Sequence, residues 1–491
     1  MKNILKSIYF SFFILALAGC KKDFIALNPI SNANEENFYK TEDDFTNAIY
    51  GAYSSLKSNG IYNDYMQLVG DLRSDNTEMG STASSRFAFY ELSQFQVQQT
   101  SEIVESIWKD HYVGIRRANT ILSRINDAGI SQNSKNRITA ESQFLRALYY
   151  FNLVRVFGNV PLVTKSIQTI EESYTYGRTD VKTVYNQIIE DLLNAAPALP
   201  LTVKGEEGRA TQGAANALLG KVYLTLHDYQ NAKTSLEKVI SSKQYDILPD
   251  YSSLWNADAK NHKESIFEVQ FKTNLTASTG SQFTERYTPY LFPNLPYSST
   301  AGGYNIPRED LINAYEATDL RKNASLKENY TKKDGTVVRG LEGRYTYKFH
   351  DMPVKGGGAD DNWPVLRYAD VLLMYAESLN EISFTTDGEA FKQLNAIRKR
   401  AGLPEKTFSN ANPLLAINSQ EEFRTAIEKE RRVEFAFEGH RWFDLLRTGK
   451  AIAILGPKIK TGLVAEQLLL PIPLSQIDVN PDNIKQNPGY Q

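Results

Sequence analysis

A single cysteine, Cys20, in 491 residues leaves no pair for an intramolecular disulfide, so stability must come from packing. Histidine is scarce at five residues, no two of them have ligand spacing, and no His-Glu-x-x-His pattern occurs. That argues against a histidine-built metal centre. A nucleophile elbow for serine hydrolysis is missing. The glycine run at 356–358 is followed by no Lys-Ser/Thr at a helix start, so it is not a phosphate cradle. Charge of one sign is not in excess: the formal net charge is −2, and no four-residue basic run exists to grip a nucleic-acid backbone. After the first twenty residues no apolar run approaches the length of a membrane helix.

The beginning of the chain has the three parts of a bacterial secretion signal. Lys2 and Lys6 give a positive start, residues 8–17 form an apolar core, and Leu17-Ala18-Gly19-Cys20 follows. Ten apolar residues are too few to span a bilayer permanently. Small residues before a cysteine suit a signal peptidase that cleaves after lipid is attached to the thiol. The expectation is a signal at 1–19, lipidation of Cys20, and a lipidated tether at 20–40. Two or three acyl chains hold a protein stably at a membrane where one holds it weakly.

The remainder has an ordinary globular balance, 42% apolar and 23% charged, and is long enough for a large core. Helical patterns fall at 41–57, 101–127, 134–157 and 179–195. Leu145, Leu148, Tyr149, Leu153 and Val156 make one apolar face, which Gly158 and Pro161 end. Residues 212–241 carry the spacing of a tetratricopeptide unit, with Leu219-Gly220, Tyr223, Ala232 and Leu236 where two antiparallel helices cross. The segment 364–400 reads as a second pair, and 134–157 with 179–195 as a third. The expected fold is mostly α: a tetratricopeptide-like scaffold with long inserted loops and a few short strands, one of them through Ile266, Val269 and Phe271. The division is an N-terminal helical region at 41–245 and a C-terminal region at 246–491, with loops at 272–307 and 350–362.

Glu434 and Glu438 lie four apart on an expected helix, with Glu430 a turn earlier and Arg431, Arg432 and Arg441 close by. Two carboxylates at that spacing raise the question of a glycosidase pair. Dense arginines would hold both pKa values low, whereas a general acid needs one raised. A structural ion-pair network is the favoured reading, extending to Arg367, Asp370 and Glu377. Loop carboxylates Asp71, Asp75, Asp360 and Asp361 leave a hard-cation site open as an alternative.

The aromatic loops point to a ligand. Residues 84–95 hold Phe87, Phe89, Tyr90 and Phe95 beside Asp75 and Asn76, and residues 283–304 hold Phe283, Tyr287, Tyr290, Phe292, Tyr297 and Tyr304. A sugar ring offers an apolar face to an aromatic plane and hydroxyls to Asp, Asn and Arg. The candidate site is therefore Phe87 or Tyr90 facing Tyr287, Tyr290 or Tyr304, with Asp75, Asn76 and Arg86 as hydrogen-bonding groups. The competing reading is that these rings fill the core beneath long loops.

Four stretches together resemble the SusD/RagB family of Bacteroidetes outer-membrane lipoproteins. They are Cys20-Lys21-Lys22-Asp23-Phe24 leading to Phe38-Tyr39-Lys40-Thr41; Asn362-Trp363-Pro364-Val365-Leu366-Arg367-Tyr368-Ala369-Asp370; Glu430-Arg431-Arg432-Val433-Glu434-Phe435-Ala436-Phe437-Glu438-Gly439-His440-Arg441-Trp442-Phe443-Asp444; and Leu470-Pro471-Ile472-Pro473 with Asn487-Pro488-Gly489-Tyr490. The resemblance implies a non-catalytic, surface-exposed lipoprotein that captures an oligosaccharide, or sometimes a peptide. It implies delivery to a SusC-like TonB-dependent outer-membrane transporter, with no cofactor and no metal. Two other readings stand beside it: a protein–protein scaffold with no small ligand, and, more distantly, a glycoside hydrolase.

Overall fold

The computed structural model describes residues 38–80, 87–274, 279–289, 302–353, 358–459 and 462–490. The expected leader, Cys20 and most of the tether lie outside the described residues, as do Arg86 and Tyr290.

Twelve described helices of seven or more residues are numbered in chain order: α1 Glu42–Ser54, α2 Tyr65–Leu72, α3 Phe87–Ser93, α4 Glu102–Arg124, α5 Gln132–Phe157, α6 Val181–Ala198, α7 Gln212–Thr225, α8 Tyr229–Ser241, α9 Tyr368–Ile382, α10 Glu389–Arg400, α11 Gln420–Glu434 and α12 Arg441–Arg447. Their starts follow side-chain chemistry. Thr41 and Asp44 exchange hydrogen bonds in a capping box at α1, and Ser131, Asp180, Thr211, Asp228 and Ser419 cap α5, α6, α7, α8 and α11. Each cap satisfies an amide that the first helical turn leaves without a partner.

Successive helices stack: α4 on α5, α5 on α6, α6 on α7, α7 on α8, α8 on α9 and α9 on α10. This is the tetratricopeptide-like array read from the repeats, and the three expected pairs are all present. Close crossings occur where the side chain is smallest. A Cβ on Gly220 would lie 2.5 Å from the Leu236 side chain, and one on Gly114 would lie 2.4 Å from the Tyr149 ring. Gly114→Ala sets two effects against each other. Helix propensity would gain about 1 kcal/mol. The Tyr149 ring cannot retreat, because it is fully buried and its hydroxyl donates to Ala52 O at 2.7 Å. Overpacking of about 1–3 kcal/mol should therefore win. The expected result is a lower thermal midpoint, read by calorimetry; an unchanged or higher midpoint would show that the crossing has slack.

Two five-residue strands, β1 Ser265–Val269 and β2 Trp363–Arg367, pair antiparallel with register shifts on either side of Leu366. Residues 364–367 are thus strand, and the helix expected from 364 begins at Tyr368. Trp363 and Val365 suit a pleated, buried surface, and the register shift after Pro364 accommodates a residue that cannot donate to the ladder. A second correction concerns Glu438. Helix α11 stops at Glu434, and the chain turns through Phe437 (φ +67°) and Gly439 (φ +71°), so Glu434 and Glu438 do not share a helix. The turn is forced into close contact: a Cβ on Gly70 would lie 2.1 Å from Gly439 O. One apolar cluster runs through the body, from Phe45 in α1 through Phe144, Leu219, Phe267 and Leu373 to Ile484.

Candidate ligand-binding face

The two aromatic loops are brought together at their bases. Thr77 and Glu78 pair with Pro307 and Ile306, and Gly80 N donates to Gly303 O at 3.0 Å. On the second loop, Tyr304 N donates to Arg286 O and Gly303 N to Thr288 O. The chain on either side of 81–86 and of 290–301 therefore converges on one face.

On that face Phe87 and Tyr90 form a stacked pair, with ring centroids 6.3 Å apart and planes inclined by 30°. Phe87 is 51% exposed and Tyr90 half-buried, so the pair presents an aromatic surface to solvent. They are three apart on α3, a spacing that puts both rings on one face, and the third aromatic of the run, Phe89, turns inward. It meets Tyr304 edge-on at 4.9 Å and Tyr65 at 5.7 Å. Arg286 lies over the Tyr304 ring at 5.2 Å and pairs with the buried Asp64 at 3.0 Å. The Phe87–Tyr90 pair is an exposed aromatic platform that can stack on a sugar face, and Arg286 is linked to the same helix through Tyr304 and Phe89.

Several expected contact residues are placed elsewhere. Tyr287 is fully buried, stacked with Phe283 and packed near Phe349. Phe283 and Tyr287 are four apart in a short helix, Phe283–Tyr287, and that spacing turns both rings into the core. Tyr304 is 3% exposed and supports Phe89. Asp75 accepts from Arg441 Nε at 2.8 Å and pairs with Arg432 at 3.0 Å, while the Asn76 side chain accepts from Arg432. Both are buried, and the two arginines hold the Asp75 carboxyl below its usual range against the upward push of burial. As placed, Asp75, Asn76, Tyr287 and Tyr304 are supports of the face and offer no open surface to a sugar. The sequence argument missed Arg286; an arginine inside an aromatic run was the available signal.

The carboxylate constellation lies apart from this face, sealed in the interior. Arg367 bonds Glu264, Glu434 and Glu438 at 2.6, 3.1 and 2.7 Å. Arg400 also holds Glu264 and Glu434, Arg321 holds Glu430 and Glu434, and Lys348 holds Glu438. Burial alone would raise the Glu434 carboxyl, but Arg400, Arg367 and Arg321 hold it well below the carboxylate range. Burial likewise pushes Glu438 up, and Arg367 with Lys348 brings it below its usual value. A general acid needs the opposite shift and access to a sugar. This pair has neither. A second buried network joins Arg431 to Asp370 and Asp444, with Lys221 on Asp370 and Arg447 on Asp444 and Glu377. Of the loop acids once open as cation ligands, Asp360 is held by Lys272 and Asp75 by its arginines. Among the described residues no group of three His, Cys, Asp or Glu side chains is placed to hold a metal ion.

Comparison with known proteins gives consistent likenesses. A family model described as "SusD family" matches residues 339–490, and one described as "Starch-binding associating with outer membrane" matches residues 23–224. A SusD-like protein of Formosa agariphila, P2, is 28% identical over 98% of this chain and 99% of its own length. A solved structure described as a laminarin-binding SusD-like protein is 30% identical, with a TM-score of 0.80 over 92% of this chain and all of that one. Surface glycan-binding protein A from Bacteroides fluxus is 25% identical, with a TM-score of 0.78 and the same coverage.

Proposed function

The chain belongs to the SusD/RagB family, and on that premise we propose that it is a non-catalytic glycan-binding lipoprotein of the outer membrane, anchored through Cys20 and exposed at the cell surface. It captures an oligosaccharide and passes it to a SusC-like TonB-dependent transporter. Laminarin binding by a relative of 30% identity supports a glycan as the ligand class. The observation that carries the reading is the exposed Phe87–Tyr90 pair near the point where the bases of two aromatic loops are stitched together. Stacked rings take the apolar face of a sugar whatever its linkage, and loop composition selects the sugar. Sugar sites stay wet and each contact gains little over water. Affinity is expected at roughly micromolar to millimolar, or about −4 to −8 kcal/mol.

The protein without residues 1–20 should be titrated by calorimetry with laminarin and starch oligosaccharides and a wider glycan panel. Phe87→Ala and Tyr90→Ala should each weaken binding by about 1–2 kcal/mol, or roughly five- to thirty-fold. Tyr287→Ala should instead lower the thermal midpoint. Equal affinity in wild type, Phe87→Ala and Tyr90→Ala would move the site off this face. No product sugar should appear on long incubation.

A further inference from the structure

The wall of the candidate face that carries Arg286 and Tyr304 is tied down from beneath by three buried carboxylates, two from α2 and its cap and one from the segment before β2. Asp64, just before α2, pairs with Arg286 at 3.0 Å. Asp71, inside α2, accepts from Asn305 Nδ2 at 3.0 Å, next to Tyr304. Asp361, just before β2, accepts from Thr284 Oγ1 at 3.1 Å. The grips fall on both ends of the loop, at 284–286 and at 305. Asp64, Asp71, Thr284 and Asn305 are all at most 1% exposed, and Asp361 is 4% exposed.

Resting on the glycan-binding reading, we infer that Asp64, Asp71 and Asp361 are positioning residues that hold segments 283–289 and 302–305 of the wall in their binding arrangement, and that the hold of Asp71 and Asp361 loosens as pH rises through the neutral range. Their surroundings give the direction. Asp361 faces Asp351, a like charge, and Lys260 at longer range. Asp71 faces Glu438 and Lys348 across the 437–439 turn, the Gly439 amide at 3.2 Å, and the Tyr287 phenol. Asp64 faces Arg286, with Glu102 and the Tyr65 and Tyr287 phenols near it. Asp64 alone has a close cation; for Asp71 and Asp361 ionisation places a charge in a dry site without a direct cationic partner. Burial raises Asp71 to about 7 and, with Asp351, Asp361 to about 8, whereas Asp64 with its arginine reaches about 6. A carboxyl whose folded value is raised stabilises the packed arrangement fully below its unfolded value near 4. That contribution is lost as pH rises through the folded value. The window is thus about pH 6 to 9, centred on Asp71 and Asp361.

Amide hydrogen exchange on the ligand-free protein tests this, with protection corrected for the intrinsic pH dependence of exchange. Protection across 283–289 and 302–307 should fall at least about ten-fold from pH 6 to pH 9, while α5 stays level. Asp71→Asn and Asp361→Asn keep the shape without the titration, so the fall should shrink in each and vanish in the double variant. Near-UV circular dichroism at pH 6 checks that each variant is folded, and the single variants decide the matter if the double does not fold. Level wild-type protection, or the same fall in folded variants, overturns the inference. Glycan affinity measured alongside separates the two claims. Binding with level protection sinks the anchors alone, and falling protection in a protein that binds no glycan sinks the ligand reading and keeps the anchors.

Discussion

Arg367→Met should lower the free energy of unfolding by about 3–5 kcal/mol, a large share of the stability of an ordinary domain. The arginine is 3% exposed and bonds three buried glutamates that belong to separate parts of the chain: Glu264 before β1, Glu434 at the end of α11, and Glu438 in the turn that follows. Methionine fills a similar volume but leaves three carboxylates sharing only Arg321, Arg400 and Lys348. Breaking one side of a buried pair costs more than the pair contributes, because the stranded charge stays out of water. Glu434→Gln and Glu438→Gln should each cost less, about 1–3 kcal/mol, since an amide keeps part of the hydrogen bonding. Denaturant midpoints would show the order. An Arg367→Met protein within 1 kcal/mol of wild type would mean that water enters the network. The pH dependence is opposite in sign to that of the loop anchors. Glu434 and Glu438 have depressed folded values, so their stabilisation is present above the unfolded value near 4.3 and disappears as pH falls. Glu434→Gln should leave glycan affinity unchanged in protein that remains folded.

The second large effect concerns location. Cys20→Ala should remove the protein almost entirely from the outer-membrane fraction. No described helix is long and apolar enough to cross a membrane. A single acyl chain gives only marginal attachment, and on the proposed lipidation the thiol and the new amino terminus together would supply more than one. Cell fractionation after a salt wash, with blotting, measures it. Retention of the variant in normal amount would refute lipidation as the anchor. Loss of a copurifying outer-membrane barrel from detergent extracts of the variant would further tie the anchor to the transporter partnership.

The helical scaffold was legible in the sequence because its signals are local. The stop at Gly158 and the Gly220–Leu236 crossing each depend on residues a few positions apart or within one hairpin. The ion-pair reading of Glu434 and Glu438 also survived, although their shared helix did not. Density of arginine around acid predicts pairing whatever the backbone does, whereas a positive φ at Phe437 leaves little trace in residue type.

The candidate face was legible only as a neighbourhood. Aromatic content named the two loops, and their stitched bases confirm that they meet. Which ring faces outward could not be read from composition. Phe87 and Phe89 differ by two positions on one short helix, and one is half exposed while the other lies against Tyr304. Tyr287 went inward because a single helical turn aligned it with Phe283. The sequence by itself determined the helical array, its crossings and the pairing tendency of its buried charges, since these follow from spacing and from charge. Only the tertiary structure decided that Asp75 supports Arg441, that Arg286 joins the face, and that Asp64, Asp71 and Asp361 lie beneath it. Those roles depend on which groups lose their water when distant segments meet, and desolvation is a property of the packed body.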